Sequence, residues 1–158
     1  MMKTKSLRIS ERLLGRKMTR VLATGTFDIL HPGHVLYLQK AKELGEELYV
    51  IVSRDAMVHH KPKPIIPEDQ RLKIIQALKV VDNARLGSEH DIFEPLYDIR
   101  PDIIALGFDQ HFDEKTLKEQ LIKRQIDAEV IRLPYEDGGE LSGTEDIIKK
   151  IIKLRVQC

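Results

Sequence analysis

The chain has 158 residues, enough for one domain with a sizeable core. Its 26 lysine and arginine residues nearly balance its 25 aspartate and glutamate residues, so the net charge does not favour binding to nucleic acids or acidic membranes. No apolar stretch approaches the ~20 residues of a transmembrane helix, and a single cysteine cannot form an intrachain disulfide. We therefore expect a cytoplasmic protein that binds neither nucleic acid nor membrane.

The chain begins with a basic segment that lacks the apolar core of a signal peptide. We expect this N-terminal extension, residues 1–17, to be flexible or helical. Residues 18–155 are predicted to form the domain.

Short apolar runs, rich in valine and isoleucine, alternate with helical patterns along residues 18–155. The runs lack a polar face, which is typical of parallel strands buried on both sides. Strands are predicted at residues 20–25, 47–53, 83–87, 102–107 and 128–134, and helices at about 32–44, 67–80, 91–99, 113–126 and 144–155. We predict an α/β fold, a single Rossmann-like domain with a doubly wound, five-stranded parallel sheet in the order 3-2-1-4-5.

Polar segments follow four of the predicted strands. They are "GTFDILHPGH" (25–34), "RDAMVHHKPKPIIPEDQR" (54–71), "GFDQHFD" (107–113) and "YEDGGELSGTED" (135–146). Because ligands of open α/β sheets bind beyond the carboxyl ends of the strands, we expect these segments to share one functional rim.

The first segment places two histidines where a strand turns into a helix, which leaves several interpretations open. Asp28, His31 and His34 could bind a metal, although a fourth ligand or acidic helper is missing. The histidines could also be core or capping residues. The stretch holds no serine or cysteine nucleophile, which excludes acyl transfer there.

A phosphate-binding turn fits this stretch best. Pro32 opens a helix, and the free N–H groups at a helix N-terminus attract anions. Gly33 leaves room for a phosphate to approach the backbone. His31 and His34, one turn apart, can donate hydrogen bonds to charge that grows during phosphoryl or nucleotidyl transfer.

"GTFDILHPGH" resembles the signature of the HxGH-motif nucleotidyltransferase superfamily, the cytidylyltransferase-like proteins, and the similarity spans about residues 18–153. Four further segments resemble motifs of this superfamily in the same order. They are "KPKPIIPEDQR", with a loop lysine and a helix arginine, "VVDNARLG", "PDIIALGFDQ" and "LSGTEDI".

The resemblance implies that a nucleotide is joined to a phosphate ester with release of pyrophosphate. The attacking phosphate is already ionised at neutral pH, so no general base is needed, and the enzyme must hold two anions and neutralise their charge. A divalent cation, expected to be Mg²⁺, would bridge phosphate oxygens.

The resemblance also implies roles for individual residues. Catalytic roles fall to His31, His34, Lys63 and Arg71, with Lys61 as the alternative to Lys63. Nucleotide contacts fall to Thr26, Phe27, His31, Pro32, Gly33, His34, Asp109, Tyr135, Ser142 and Thr144. Simpler explanations stay open: a solvated loop for the lysines, a surface salt bridge for Arg71, and helix capping for Asp109, Ser142 and Thr144.

The choice of substrates depends on the segment after the last strand. Glycerol-3-phosphate cytidylyltransferases carry an "RTEGIST"-like segment there, whereas this chain has no arginine in "YEDGGELSGT", and Gly143 stands where serine or threonine is usual. "PIIPEDQR", "RPDIIALGFDQ" and "VIRLPY" instead resemble the archaeal FAD synthetases, which adenylylate FMN with ATP.

We therefore expect ATP and FMN as substrates and FAD and pyrophosphate as products. The alternatives are cytidylyl transfer to glycerol 3-phosphate or another phosphorylated alcohol or sugar, and a non-catalytic nucleotide-binding module. The resemblance is also compatible with a homodimer.

Overall fold

The computed structural model describes residues 18–156, so the predicted N-terminal extension at 1–17 lies outside the described residues. The strands are β1 (Arg20–Gly25), β2 (Glu47–Val52), β3 (Asn83–Leu86), β4 (Ile103–Leu106) and β5 (Glu129–Arg132). The helices are α1 (Pro32–Lys42), α2 (Glu68–Gln76), α3 (Glu94–Ile99), α4 (Glu114–Lys123) and α5 (Thr144–Arg155), and a single 3₁₀ turn covers Asp55–Met57.

All five strands are parallel and lie in the order β3-β2-β1-β4-β5, which confirms the predicted sheet. The central strand, β1, pairs with β2 on one side and with β4 on the other. The strand order therefore reverses between β1 and β4, which is where open α/β sheets bind ligands. The loops that leave these two strands carry the "GTFD" and "GFDQ" sequences.

Helices cover both faces of the sheet, which explains why the strands have no polar face. Val21 and Ala23 of β1 point to the side that holds Leu38 of α1 and Ile75 of α2. Leu22, between them, belongs to the opposite cluster, which contains residues of α3 and α4. This alternation follows from the two-residue period of a strand.

Several helices are shorter than predicted. The second was predicted at about 67–80 but ends at Gln76, since the following residues leave the helix and Val80 and Val81 pack against the core. The third was predicted at about 91–99 and begins only at Glu94, but it ends at Ile99 as predicted, where Arg100 takes a left-handed conformation, φ 51°, directly before Pro101. Between residues 18 and 156, no helix combines the length and the apolar character that crossing a membrane requires.

Candidate active site

The loop after β1 has an unusual backbone. Phe27 and Ile29 have φ values of 54° and 42°, a left-handed region that residues with a side chain rarely adopt. The Phe27 ring is 4% exposed and packs over Gly25, where an added Cβ would lie 2.8 Å from the ring. Such conformations persist only where surrounding contacts hold them, and they often mark functional sites.

The two histidines form one unit at the start of α1. His31 is the N-cap, and its Nδ1 accepts a hydrogen bond from the His34 backbone N–H at 3.4 Å. The two rings stack with centroids 3.6 Å apart and an angle of 23° between their planes. The His34 ring also meets Phe27, edge to face, at 5.4 Å. The capping interpretation is therefore correct for His31, and it is compatible with phosphate binding by the same helix end.

Burial makes both rings poor bases. Burial, together with the smaller effects of the neighbouring His31 and Lys61, lowers the pKa of His34 to about 3. Burial also lowers the pKa of His31, against the opposing charges of Asp146 and Asp109. A neutral His34 carries one N–H donor at physiological pH. Its buried Nδ1 has no hydrogen-bond partner within residues 18–156, the kind of unsatisfied atom that a ligand can complete.

The N-terminus of α5 meets the N-terminus of α1 at these histidines. A Cβ on Gly33 would collide with the carbonyl oxygen of Ser142 and would lie 3.0 Å from the His31 ring. The Thr144 hydroxyl donates to the Asp28 carbonyl at 3.0 Å. In this structure Gly33 thus lets the loop before α5 approach α1, a reason that sequence inspection did not supply. Two helix N-termini in one place favour anion binding.

Arg71 reaches inward from α2, and its guanidinium is fully buried. Its Nε donates to the Ile66 carbonyl at 2.8 Å, and its two terminal nitrogens donate to the carbonyls of Thr26 at 2.5 Å and Ser53 at 2.9 Å. It also forms a 2.5 Å ion pair with Asp55. This placement favours a positioning role, joining the loops after β1 and β2, over the predicted contact with phosphate and over a surface salt bridge.

The two candidate lysines lie in different surroundings. The Lys63 ammonium donates to the Asp55 carbonyl at 2.9 Å. The Lys61 ammonium lies close enough to His34 to lower its pKa. Burial lowers the pKa of Lys61 itself, while Asp109 and Asp28 oppose this shift. Because the charge of Lys61 acts on His34 whereas Lys63 is bonded to a backbone carbonyl, our expectation moves from Lys63 to Lys61 as the lysine that contacts phosphate.

The remaining nucleotide-binding candidates are divided between the interior and the rim. Thr26 is 8% exposed. The Phe27 ring is buried against His34, and this burial does not fit the predicted contact of the ring with a nucleotide. Asp109 is exposed, and its charge opposes the lowering of the pKa of His31 and of Lys61 by burial. Tyr135 is 63% exposed and contacts Phe108 on the neighbouring loop.

Asp28 does not join the histidines in a metal site. Its carboxylate oxygens accept hydrogen bonds from the backbone N–H groups of Ile65 and Ile66, both at 2.9 Å. No group of three or more histidine, cysteine, aspartate and glutamate side chains within residues 18–156 is arranged to hold a metal ion. Asp28 therefore anchors the loop that carries Lys61 and Lys63 to the loop after β1.

Two residues that sequence reasoning missed hold the ends of β1 and β4 together. The buried Tyr37 hydroxyl donates to the Ala105 carbonyl at 2.7 Å and accepts from the Thr24 N–H at 3.2 Å. The Gln110 side chain donates to the Thr24 carbonyl at 2.6 Å. Tyr37 could have been suspected, because a tyrosine on the inner face of α1 needs a partner for its hydroxyl. Nothing in the sequence indicates that the Gln110 side chain contacts the Thr24 carbonyl.

Comparisons with known proteins identify the family of this chain. The cytidylyltransferase-like family matches residues 22–150. A curated relative from Methanosarcina acetivorans, named FAD synthase, is 59% identical over 139 residues, which are 88% of this chain and 92% of the relative. A second, from Archaeoglobus profundus and with the same name, is 57% identical over 135 residues, 85% of this chain and 87% of the relative.

Solved structures show the same architecture. A protein from Thermoplasma volcanium, described as a lipopolysaccharide core biosynthesis protein, superposes with a TM-score of 0.74 at 46% identity, covering 77% of this chain and all of that one. A protein of unknown function from Archaeoglobus fulgidus, 16% identical with a TM-score of 0.58, covers 79% of this chain and 94% of its own length, and it shares the fold alone. The chain therefore belongs to the cytidylyltransferase-like family, among relatives named FAD synthase.

Proposed function

We propose that this protein transfers the AMP moiety of ATP to FMN, producing FAD and pyrophosphate. The observation that carries the choice of substrates is the 57–59% identity to relatives named FAD synthase over most of the chain. The missing arginine in residues 135–144 argues in the same direction, because it removes a nucleotide contact of the cytidylyl enzymes that the sequence otherwise resembles.

The chemistry needs charge neutralisation more than proton transfer. An oxygen of the FMN phosphate attacks the α-phosphorus of ATP, a new P–O bond forms, and the bond to the β-phosphate breaks so that pyrophosphate leaves. His31 and His34, held at the N-terminus of α1, donate N–H groups to oxygens of the α-phosphate. Lys61 adds positive charge beside them, and the N-termini of α1 and α5 face the same anions.

The predicted nucleotide contacts, apart from that of the Phe27 ring, are retained as part of this proposal. Gly33 supplies its backbone N–H at the phosphate and Pro32 fixes the start of the helix, while Ser142 and Thr144 supply N–H groups at the start of α5. Thr26 contributes through its backbone. In this proposal Asp109 bonds the ribose or base, and Tyr135 flanks the adenine.

We propose Mg²⁺ as the divalent cation. Magnesium in such sites is bound by one or two carboxylates and by substrate phosphates. Mg²⁺ would be held mainly by oxygens of the substrate phosphates, since no group of three or more histidine, cysteine, aspartate and glutamate side chains within residues 18–156 is arranged to hold a metal ion. The cation would reduce repulsion between the two phosphate substrates.

A direct assay tests the proposed function. ATP with FMN, and CTP with glycerol 3-phosphate, are each incubated with the protein and Mg²⁺, and products are separated by chromatography while pyrophosphate is measured. We expect FAD to form faster than any cytidylyl product, and a chelator to stop the reaction. A faster reaction with CTP would support the cytidylyltransferase alternative, and nucleotide binding without either product would support a non-catalytic module.

Replacement of the two loop lysines should separate their roles. We expect Lys61→Ala to lower kcat/KM for ATP by about tenfold or more, because a hydrogen bond from a charged group to phosphate contributes about 1.5–3 kcal/mol. Lys63→Ala is the matched control. The Lys63 ammonium donates to a backbone carbonyl, so its loss should change kcat/KM less. A larger loss in Lys63→Ala would restore the first assignment, and wild-type rates in both single variants and the double variant would make the loop irrelevant to the phosphates.

The predicted homodimer stays a prediction, which light scattering of the purified protein would check. The predicted cytoplasmic location also stays a prediction.

A further inference from the structure

Few aromatic side chains of this protein are available to contact a flat ligand. The chain has four phenylalanines, four tyrosines and no tryptophan. Four of these rings lie within the packed domain: Phe27, Tyr37, Tyr49 and Phe93. Tyr97 is exposed on α3. The other three, Phe108, Phe112 and Tyr135, follow β4 and β5 and are thus at the carboxyl edge of the sheet.

Phe108 and Tyr135 form an exposed aromatic pair at this edge. Their ring centroids lie 4.9 Å apart with the planes at 75°, an edge-to-face contact. Phe108 is 51% exposed and Tyr135 is 63% exposed. Contact with solvent alone would not require an aromatic ring at either position. Exposed apolar groups that cluster beside a functional site are typical of ligand-binding surfaces.

The loop that presents Phe108 is held firmly. The Arg132 guanidinium donates to the carbonyls of Gly107 at 2.9 Å and Phe112 at 2.5 Å, on either side of Phe108. The Gly107 N–H donates to the Gln110 side chain at 2.9 Å. Because the loop is already ordered, a ring that stacks on Phe108 incurs little of the entropic cost of ordering a binding surface.

Phe108 also lies at the edge of the sheet that carries the reacting groups. It follows Gly107 just beyond the carboxyl end of β4, and β4 pairs with β1, whose loop leads to His31 and His34. Neighbouring strands are about 4.8 Å apart. The next residue, Asp109, acts on the charge of His31 and Lys61. A ring joined to the reacting phosphate by a chain the length of ribityl can therefore reach Phe108.

We propose that Phe108 stacks against the isoalloxazine ring of FMN and so selects the flavin acceptor, an inference that rests on the proposed function. Isoalloxazine is a large, flat, mostly apolar system, and Phe108 offers area without a polar group. Tyr135 contacts Phe108, so an adenine beside Tyr135 would lie next to the flavin. Phe108 thereby becomes a specificity-determining residue, a role that the resemblance of the "PDIIALGFDQ" segment did not assign to it.

Flavin fluorescence, measured without ATP, tests this inference separately from turnover. FMN is titrated with the wild-type protein and with Phe108→Ala, Phe108→Leu and Phe108→Trp, and KM values for FMN and ATP are measured in parallel. Phe108→Leu keeps an apolar side chain but lacks a flat ring, so it removes stacking with little risk to folding. Tyr97→Ala is the matched control, since Tyr97 is also about half exposed, at 50%, but lies on α3.

We expect Phe108→Ala and Phe108→Leu to weaken FMN binding about tenfold or more, the scale of losing one aromatic stacking contact. The KM for ATP and the melting temperature should stay near their wild-type values, Phe108→Trp should retain binding, and Tyr97→Ala should change nothing. Quenching of flavin fluorescence should be lost together with binding.

Three results would overturn the inference. The first is unchanged FMN binding in both Phe108→Ala and Phe108→Leu, and the second is the absence of FMN binding by the wild-type protein. The third is a rise in the KM for ATP alone, which would place adenine on Phe108. If the wild-type protein binds FMN through Phe108 but forms no FAD, the proposed function fails and the inference stands. If FAD forms equally well in all variants, the function stands and the inference fails.

Discussion

Replacing His34 by alanine is expected to lower kcat for nucleotidyl transfer by at least about 10²-fold, a loss of roughly 3 kcal/mol of transition-state stabilisation. The reason is that a neutral, stacked and partly buried imidazole is a fixed hydrogen-bond donor for charge that develops at the α-phosphate. We expect a loss of similar size for His31→Ala. Rapid-quench or steady-state measurement of FAD formation gives kcat in each variant.

The capping role of His31 needs its own control. Alanine at position 31 removes the N-cap of α1 as well as the ring, and loss of a cap costs about 1 kcal/mol of stability. His31→Asn supplies a good N-cap without the imidazole, so its melting temperature should recover while its kcat stays low. If instead the alanine variants melt at much lower temperature but retain normal activity, the histidines serve packing and capping alone.

The low pKa of His34 predicts how the rate responds to pH. With a pKa of about 3, this ring is neutral at every pH above about 5, and its ionisation should leave no step in kcat there. Comparison of the pH profiles of wild type and His34→Gln is the measurement. A step near pH of about 6.5 that disappears in His34→Gln would contradict the assignment of a neutral donor.

Replacing Arg71 by alanine is expected to lower the free energy of unfolding by about 3–5 kcal/mol, the range for breaking a buried charged network. The substitution leaves the carbonyls of Thr26, Ser53 and Ile66 without their donor. The ion pair with Asp55 is the smaller part of this cost, because the Asp55 side chain is 43% exposed and water can replace its partner. Urea unfolding of the variant and the wild type measures the difference.

Arg85→Ala is the matched control for Arg71→Ala. Arg85 pairs with Asp98 at 3.3 Å on the surface, where both side chains are mostly exposed, so its loss should change stability by less than about 0.5 kcal/mol. Arg71→Lys keeps the charge but not the geometry that joins the loops, and it should show partial loss of stability and of activity. A fully stable Arg71→Lys variant with a large loss of kcat would favour direct contact with phosphate.

The sequence alone determined the elements, the sheet and the position of the site. The apolar runs at residues 20–25 and 47–53 predict buried parallel strands, because a strand that is buried on both faces lacks the alternation of polar and apolar residues. The structure has strands at nearly the same bounds. The "HPGH" sequence marked the start of α1 because proline at the first position of a helix is a local signal. These features leave a pattern in the order of neighbouring residues, which is why the sequence predicts them.

Only the tertiary structure decided what the side chains around the histidines contact. The partners of Arg71 come from residues 26, 53, 55 and 66, so neither its burial nor its positioning role could be inferred from its own helix. The choice between Lys61 and Lys63 depends on how a loop folds over groups from β1 and β4, and the exposure of Phe108 depends on Arg132 of β5. Loop conformation is set by hydrogen bonds to distant backbone groups, which carry no pattern in the sequence.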